Sequence, residues 1–411
     1  MDLIRVMPAE AKALSEKRGF DVVVVGGGVI GLSCAWRLAQ AGARVTVLER
    51  GVPGEGATRV AAGMLAPVGE LTFGEPELLE LTLAAAKLYP GFVAELEAAT
   101  GESTDYERLG ALHVALDRDE AAQLRRVHDL QRSLELEAEW LPPRRCRDLE
   151  PGLTPSFHGG VFAAGEAAID PRALTRVLVA ACAAEGVEVR AEAEVVDGIF
   201  DGERLAGVRT AKGRSDGQST SDRPLDEEIA AEAVVLAGGA WSGAMNWLPK
   251  EARPTVRPIK GQVVELRSRG TEPVARHILA SERVYLVPRP DGRLIVGATV
   301  EEMGFDTAVT AGGVHELLRE AYRLLPDVAE MELIDAVAGL RPGTPDNLPI
   351  VAPGALDGLV LATGHHRNGI LLAPLAARAV ADLAAGHRRS SLDRLSRPKD
   401  EHAVTGVGRD S

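Results

Sequence analysis

The sequence is poor in cysteine, in aromatic residues and in positive charge, and each shortage excludes a class of protein. Its 411 residues include three cysteines, 4% aromatic residues, and 46 Lys and Arg against 60 Asp and Glu, for a net charge of −14. The acidic balance argues against nucleic acid or an anionic membrane as a partner. Widely spaced cysteines without metal-ligand spacing argue against a disulfide framework and favour the reducing cytoplasm.

Long apolar runs are also missing from the chain. No apolar stretch reaches the length that spans a bilayer, so we predict no membrane segment. Residues 1–18 contain acidic side chains and no long apolar centre, unlike a signal peptide. We expect 1–18 and 388–411 to be flexible tails, and the polar segment 212–227 to be a hairpin excursion or a disordered loop.

What the chain does contain is a dinucleotide-binding pattern at residues 21–32, DVVVVGGGVIGL. A run of valines leads into a glycine-rich turn, and a helix follows. Gly26 permits the tight turn, Gly28 lets the backbone approach a pyrophosphate, and Gly31 lets the helix pack on the sheet. The free N–H groups at the helix start suit phosphate. The alternative is a glycine-rich loop in another kind of α/β protein.

An acidic residue completes the pattern after the second strand. The strand 45–48 ends in Glu49, whose carboxylate suits a ribose 2′-OH and would repel the 2′-phosphate of NADP. Strand, glycines, helix, second strand and acid therefore occur in the order that a dinucleotide site requires.

The order of the remaining patterns predicts an α/β chain, α+β overall, with two domains. A Rossmann-type domain is assembled from residues 19–88, 155–254 and 333–387. The inserted domain, residues 89–154 and 255–332, is predicted to carry a largely antiparallel β-sheet that binds the substrate, because short strands follow one another after residue 256. Ligands of such folds sit at the carboxyl ends of the parallel strands.

The C-terminal segment 358–374, GLVLATGHHRNGILLAP, favours a flavin over NAD. It predicts a second helix N-terminus at the ligand crevice, and the partial positive charge there suits a reduced flavin, which is negative near N1 and O2. Only one GxGxxG is present, whereas a flavoenzyme with a separate NAD site usually shows two. The alternative is a plain buried strand and helix.

Several motifs together resemble the D-amino-acid oxidase family of FAD enzymes, and within it the glycine oxidase branch associated with thiamine biosynthesis. They are GGGVIGLSCAWRLAQAGARVTVLER, AAGMLAP, VVLAGGAWS, RPIKGQ, VYLVPR, AGLRPGTPDNLPIV and ATGHHRNGILLAP, spread between about Phe20 and Ala385. The resemblance implies a Rossmann-type FAD-binding domain with a mixed, largely antiparallel substrate domain. It also implies oxidation of glycine or a similar small amino acid, such as sarcosine or a small D-amino acid, to the imine or 2-oxo acid, with O2 reduced to H2O2.

The resemblance also assigns residues to the cofactor. It places Ala62, Gly63 and Met64 along the isoalloxazine, Gly238 and Trp241 beside the pyrophosphate, and the start of the last helix under the pyrimidine ring. The predicted FAD-contacting residues are Gly26, Gly28, Val29, Ile30, Gly31, Glu49, Arg50, Ala62, Gly63, Met64, Val195, Gly238, Trp241, Arg367, Asn368, Gly369 and Ile370.

The same resemblance places Arg341 on the substrate carboxylate, Tyr285 beside it, and Arg367 near the substrate or the flavin. Chemistry supports the assignment, because the planar guanidinium makes two charge-assisted hydrogen bonds to a carboxylate. The alternatives are a structural Arg341–Asp346 pair and a core tyrosine. No metal and no protein base is needed, since hydride transfer from a neutral amine depends on positioning and electrostatics.

Related sarcosine oxidases attach flavin through a cysteine, roughly where Arg341 stands here. This chain has no cysteine after Cys182, so we expect noncovalent FAD. Arg283 and Val300 occupy positions near the pocket where the branch varies, which leaves the amine open.

Two other functions stay open at this point. One is a flavin-dependent amino-acid dehydrogenase that passes electrons to a quinone, and the other is a catalytically silent dinucleotide-binding subunit. The expected partners are a small amino acid, O2, further copies of the chain, and a thiazole synthase that receives the imine. The expected location is the cytoplasm.

Overall fold

The computed structural model describes residues 19–212, 225–270 and 273–384. The two predicted tails, and all but the ends of the 212–227 segment, lie outside these residues. The helices of the described chain, in order, are α1 Val29–Gln40, α2 Ala57–Val60, α3 Pro76–Thr100, α4 Arg118–Ser133, α5 Pro143–Leu149, α6 Pro171–Ala184, α7 Ala311–Leu324 and α8 Gly369–Ala384.

The strands carry most of the architecture. They are β1 Asp21–Val25, β2 Arg44–Leu48, β3 Met64–Leu65, β4 Ala111–Val114, β5 Glu139–Leu141, β6 Gly160–Ala163, β7 Ala167–Ala168, β8 Glu188–Arg190, β9 Ala193–Asp201, β10 Arg204–Lys212, β11 Leu225–Ala230, β12 Ala233–Leu236, β13 Arg257–Arg267, β14 Ile278–Ala280, β15 Tyr285–Pro288, β16 Arg293–Gly297, β17 Glu332–Gly343, β18 Ile350–Pro353 and β19 Leu359–Thr363.

The first layer is a six-stranded sheet in the order β18-β19-β12-β1-β2-β8. All neighbours are parallel except β18 and β19. The four valines of β1 show why the sheet is covered on both sides. Val22 and Val24 join a core with α1, α6 and α8, while Val23 and Val25 face the small sheet of β9, β10 and β11. A strand buried on both faces reads as a continuous apolar run.

The second layer is an eight-stranded sheet in the order β17-β13-β16-β15-β14-β4-β6-β5. Its strands are antiparallel apart from the β14–β4 pair. One face packs on α7 through Val264, Leu266 and Leu317. The other face carries Val263 and Ile295 and packs against Ala62 of the first layer. The site lies on this second face.

The predicted α/β class and the antiparallel sheet are confirmed. Helix α6 begins at Pro171, and the Asp170 carboxylate accepts from the N–H groups of Arg172 and Ala173 as an N-cap. The predicted domain boundary between residues 88 and 89 falls within α3, which places Phe92 and Leu96 in the core of the first layer. The division into two domains stays a prediction.

None of the helices in the described parts of the chain combines the length and the apolar character needed to cross a membrane.

Candidate active site

The turn between β1 and α1 has a backbone that only glycine can adopt. Gly26 has φ of 110°, and a Cβ there would overlap the carbonyl of Ala237. A Cβ on Gly31 would overlap the carbonyl oxygen of Gly26. The turn therefore packs against β12 and against its own helix without side chains, as the sequence predicts.

The ligand-facing rim of this turn is open. A Cβ built on Gly28 would meet only the Thr58 hydroxyl, at 3.4 Å. The same hydroxyl accepts from Val29 N–H at 3.1 Å. The adjoining Ile30 N–H lies in the first turn of α1. An open glycine rim at a helix N-terminus fits the pyrophosphate of FAD.

Glu49 stands at the end of β2 beside the same turn. Its carboxylate accepts from Gly27 N–H at 2.8 Å and from Gly51 N–H at 2.9 Å. These bonds fix the carboxylate at the rim, where the sequence predicts the ribose. Thr58 was not among the predicted residues. The sequence offers little to indicate it beyond a hydroxyl within the segment GATRV, residues 56–60.

The stacked rings of Trp241 and Phe305 lie along the next part of the rim. The Arg50 guanidinium lies 3.9 Å from the centre of the Trp241 ring, which stacks on Phe305 at 5.8 Å. Gly238 precedes the short helical turn that carries Trp241. Val195 is buried in the core between the parallel sheet and the small sheet. Of the predicted FAD-contacting side chains in this region, Arg50 is exposed, Trp241 is half-buried and Val195 is buried.

Residues 62–64, predicted to lie along the isoalloxazine, form a rigid strip between the layers. A Cβ on Gly63, which has φ of 70°, would overlap the carbonyl of Ile169. Met64 pairs with β7, and the buried Arg289 guanidinium donates to the carbonyl of Ala62. Burial lowers the pKa of Arg289 to about 10, and at neutral pH the side chain is still a cation.

The start of α8 lies on the opposite side of the crevice. Arg367 is exposed, whereas Asn368 and Ile370 are buried. Asn368 N–H donates to the carbonyl of His365 at 2.9 Å, and Gly369 is the first residue of the helix. Burial lowers the pKa of His365 to about 3, so this imidazole is neutral at physiological pH.

Arg341 lies across β13, facing the first layer. It pairs with Ile259, and its Nη1 donates to the carbonyls of Thr299 at 3.1 Å and Lys260 at 3.4 Å. The guanidinium occupies the space that a Cβ on Gly261 would fill. In the described chain it makes no ion pair with Asp346, so the alternative structural pair is not formed.

Tyr285 lies beside Arg341 on the same face. Its ring rests on Gly297, the residue opposite it in β16. Burial raises the pKa of the phenol, the Arg341 and Arg367 guanidinium groups lower it, and the Glu70 carboxylate raises it. The phenol is therefore neutral. The structure brings the three predicted catalytic residues, Arg341, Tyr285 and Arg367, into one cluster.

Glu70 is the member of this cluster that sequence reasoning missed. It follows the AAGMLAP motif by three residues, but nothing in its local pattern separates it from a surface glutamate. By contrast, Arg283 and Val300, considered near the pocket, are both exposed, and Arg283 lies outside β15.

Comparison with known proteins agrees with this geometry. The family profile described as FAD dependent oxidoreductase, DAO, matches residues 21–383. A glycine oxidase of Pseudomonas aeruginosa is 36% identical over 368 residues, covering 89% of this chain and 94% of the relative. The bifunctional protein ThiO/ThiG of Trichormus variabilis is 36% identical over 375 residues, and this chain spans 54% of its length.

A solved structure extends the match to three dimensions. The glycine oxidase of Geobacillus kaustophilus superposes with a TM-score of 0.82 and 33% identity, covering 93% of this chain and 99% of that protein. The glycine turn, the buried strip at residues 62–64 and the start of α8 fit a bound FAD. The chain belongs to the DAO family of FAD-dependent oxidoreductases.

Proposed function

We propose that this chain oxidises glycine or a similarly small amino acid, such as sarcosine or a small D-amino acid. The imine formed hydrolyses to the 2-oxo acid with release of ammonia or, from an N-substituted substrate, an amine, and O2 is reduced to H2O2. The observation that carries the proposal is the cluster of Arg341, Tyr285 and Arg367. Arg341 and Tyr285 lie on the sheet face that packs against Ala62, and Arg367, at the start of α8, is close enough to lower the pKa of the Tyr285 phenol.

Arg341 acts as the anchor of the substrate carboxylate. Its Nη1 is tethered to two backbone carbonyls, so the guanidinium has a fixed position before the substrate arrives. The fork then offers its other N–H groups to a carboxylate. Tyr285 donates a further hydrogen bond from its neutral phenol. Fixing the carboxylate aims the Cα–H, which is the positioning that hydride transfer needs.

A bound flavin would supply the redox chemistry, as the acceptor of a hydride from the substrate and the donor of two electrons to O2. The residues that would hold it are the glycine turn at residues 26–31, Glu49, the strip at residues 62–64, and the start of α8. No cysteine lies in the C-terminal part of the chain, so we propose noncovalent binding.

The relatives named ThiO/ThiG add a candidate partner. In them, a segment similar to this chain belongs to a longer, bifunctional polypeptide. We infer that the imine formed here passes to a thiazole synthase. Assembly into a homo-oligomer and a cytoplasmic location stay predictions from the sequence.

The test is anaerobic reduction of the FAD-loaded protein. Glycine or sarcosine should bleach the flavin absorbance, and air should restore it with formation of peroxide. Bleaching that air fails to reverse, while a quinone analogue succeeds, would establish the dehydrogenase instead. A flavin that no amino acid bleaches would support the alternative that the chain is a catalytically silent dinucleotide-binding subunit.

A further inference from the structure

Glu70 lines a cavity together with Asn368, the residue that follows Arg367. Burial raises the pKa of its carboxyl, and the nearby charges of Arg367 and Arg341 lower it. Within the described residues, its carboxylate makes no hydrogen bond and no ion pair shorter than 4.0 Å. Acid and arginines are thus close enough to interact, yet too far apart to neutralise each other by direct contact.

A gap between opposite charges matches the zwitterion of an amino acid. With the substrate carboxylate on Arg341, its amino group lies away from the guanidinium and needs an acceptor. Tyr285 and Arg341 alone would bind a carboxylate without an amine equally well. The Glu70 carboxylate lies close enough to Tyr285 to raise the pKa of the phenol.

A second glutamate, Glu166, accepts hydrogen bonds from the backbone just before Glu70. Glu166 is 2% exposed, and its Oε1 accepts from the N–H groups of Val68 at 2.9 Å and Gly69 at 2.6 Å. A Cβ on Gly69 would collide with His113 Nε2 and lie 2.9 Å from Glu166 Oε2. The loop is therefore packed directly on the Glu166 and His113 side chains.

These two supporting side chains are uncharged at neutral pH. Burial, with the Glu70 charge adding to it, raises the pKa of Glu166 to about 8. Burial lowers the pKa of His113 to about 4. The support thus fixes the loop without adding a charge that would compete with Glu70 for the amine.

We propose that Glu70 binds the amino group of the substrate and selects against amines that carry a second carboxylate, with Glu166 as its positioning residue. This inference rests on the proposed amino-acid oxidation. A second carboxylate attached to nitrogen, as in iminodiacetate, would be brought towards the Glu70 carboxylate and repelled.

The test compares glycine, acetate and iminodiacetate on the FAD-loaded protein. Glu70→Gln should raise the KM for glycine roughly 10- to 100-fold, the loss of one charge-assisted hydrogen bond. Acetate, followed by its perturbation of the flavin absorbance, has no amine and should bind as tightly or more tightly. The preference for glycine over iminodiacetate should shrink. Glu70→Asp, which keeps the charge, should retain that preference.

Glu77→Gln is the matched control, because it removes the same charge from an exposed residue of the same region. Glu77→Gln should leave the binding of glycine, acetate and iminodiacetate unchanged. Equal weakening of glycine and acetate by Glu70→Gln, or no change in either, would overturn the proposal. If no amino acid bleaches the wild-type flavin, the proposed function fails. Glu70 is then judged by whether Glu70→Gln changes equilibrium binding of glycine relative to acetate.

Glu166 is tested by rescue. Glu166→Ala removes the acceptor for two amides and should raise the KM for glycine, with a smaller change in kcat. Glu166→Gln keeps a neutral acceptor and should restore the wild-type KM. A Glu166→Ala protein that loses stability or FAD while its glycine-to-acetate preference stays constant would show a structural role only.

Discussion

In the proposed function, the dinucleotide-side turn and the substrate-side cluster use different parts of the polypeptide to recognise a ligand. The turn at residues 26–31 offers backbone N–H groups and the absence of side chains. The cluster offers charged side chains, Arg341, Glu70 and Arg367, around the phenol of Tyr285. Substitutions on the first side should act through added volume, and those on the second through lost charge.

The largest expected effect is on the dinucleotide side. Gly31→Ala forces a methyl group into the carbonyl oxygen of Gly26, and neither backbone segment can move without breaking the turn. The protein should purify without FAD, measured by the ratio of absorbance at the flavin band to absorbance of the protein. Gly91→Ala is the control, since this exposed helical glycine has open space around its Cβ. Full FAD content in Gly31→Ala would contradict the claim that added volume in this turn prevents FAD binding.

Arg341→Ala should have the next largest effect, confined to the substrate. One charge-assisted hydrogen bond contributes about 1.5 to 3 kcal/mol, or roughly 10- to 150-fold in kcat/KM. Loss of two bonds places the variant at or beyond the upper end for glycine, and Arg341→Lys should recover only part. An amine of similar size without a carboxylate should lose far less. Equal losses on both substrates, or loss of FAD, would make Arg341 structural.

Tyr285→Phe removes one neutral hydrogen bond and leaves the ring on Gly297. We expect a loss of about tenfold or less in kcat/KM for glycine, with unchanged FAD content. Steady-state kinetics against glycine measure it. A loss as large as that of Arg341→Ala would mean that the phenol does more than donate one bond.

The smallest expected effect is on the pH dependence of stability. The slope of stability against pH has opposite signs for His365, next to α8, and Glu166, which supports the Glu70 loop. His365 has a folded pKa of about 3, below its unfolded value, so its contribution to stability is lost as pH falls below 6.5. Glu166 has a folded pKa of about 8, above its unfolded value, so stability falls as pH rises from 4.5 to 8.

Thermal unfolding between pH 4 and pH 8.5 separates these slopes. Glu166→Gln should remove part of the decline towards alkaline pH, a shift of about a few degrees in Tm, and leave the acid-side decline unchanged. An alkaline decline that is identical in wild type and variant would rule out an ionisation of Glu166.

The same contrast explains what the sequence reveals. The glycine turn is signalled by a pattern within one short segment, so Gly26, Gly28 and Gly31 could be assigned individually, although Gly26 also packs against Ala237 of a distant segment. Arg341 and Tyr285 could be placed through recognisable motifs. Glu70, Glu166 and Thr58 could not, because Glu70 acts through the nearby charge of Arg341, while Glu166 and Thr58 act through hydrogen bonds from Gly69 and Val29, and only the folded chain brings these groups close. The domain boundary predicted between residues 88 and 89 divides α3, because the membership of this helix in the first layer depends on packing against α1 and α8.

The parallel sheet has a consequence for the order in which the chain can fold during synthesis. β1 finds one neighbour, β2, soon after it is made, but its other neighbour, β12, follows about 210 residues later. At ordinary rates of translation this is a wait of roughly 10 to 40 s with one edge unpaired. β12 in turn waits for β19 near the end of the described chain. A nascent chain truncated before β12 therefore exposes a valine-rich strand edge, the kind of surface that chaperones bind and that aggregation begins from.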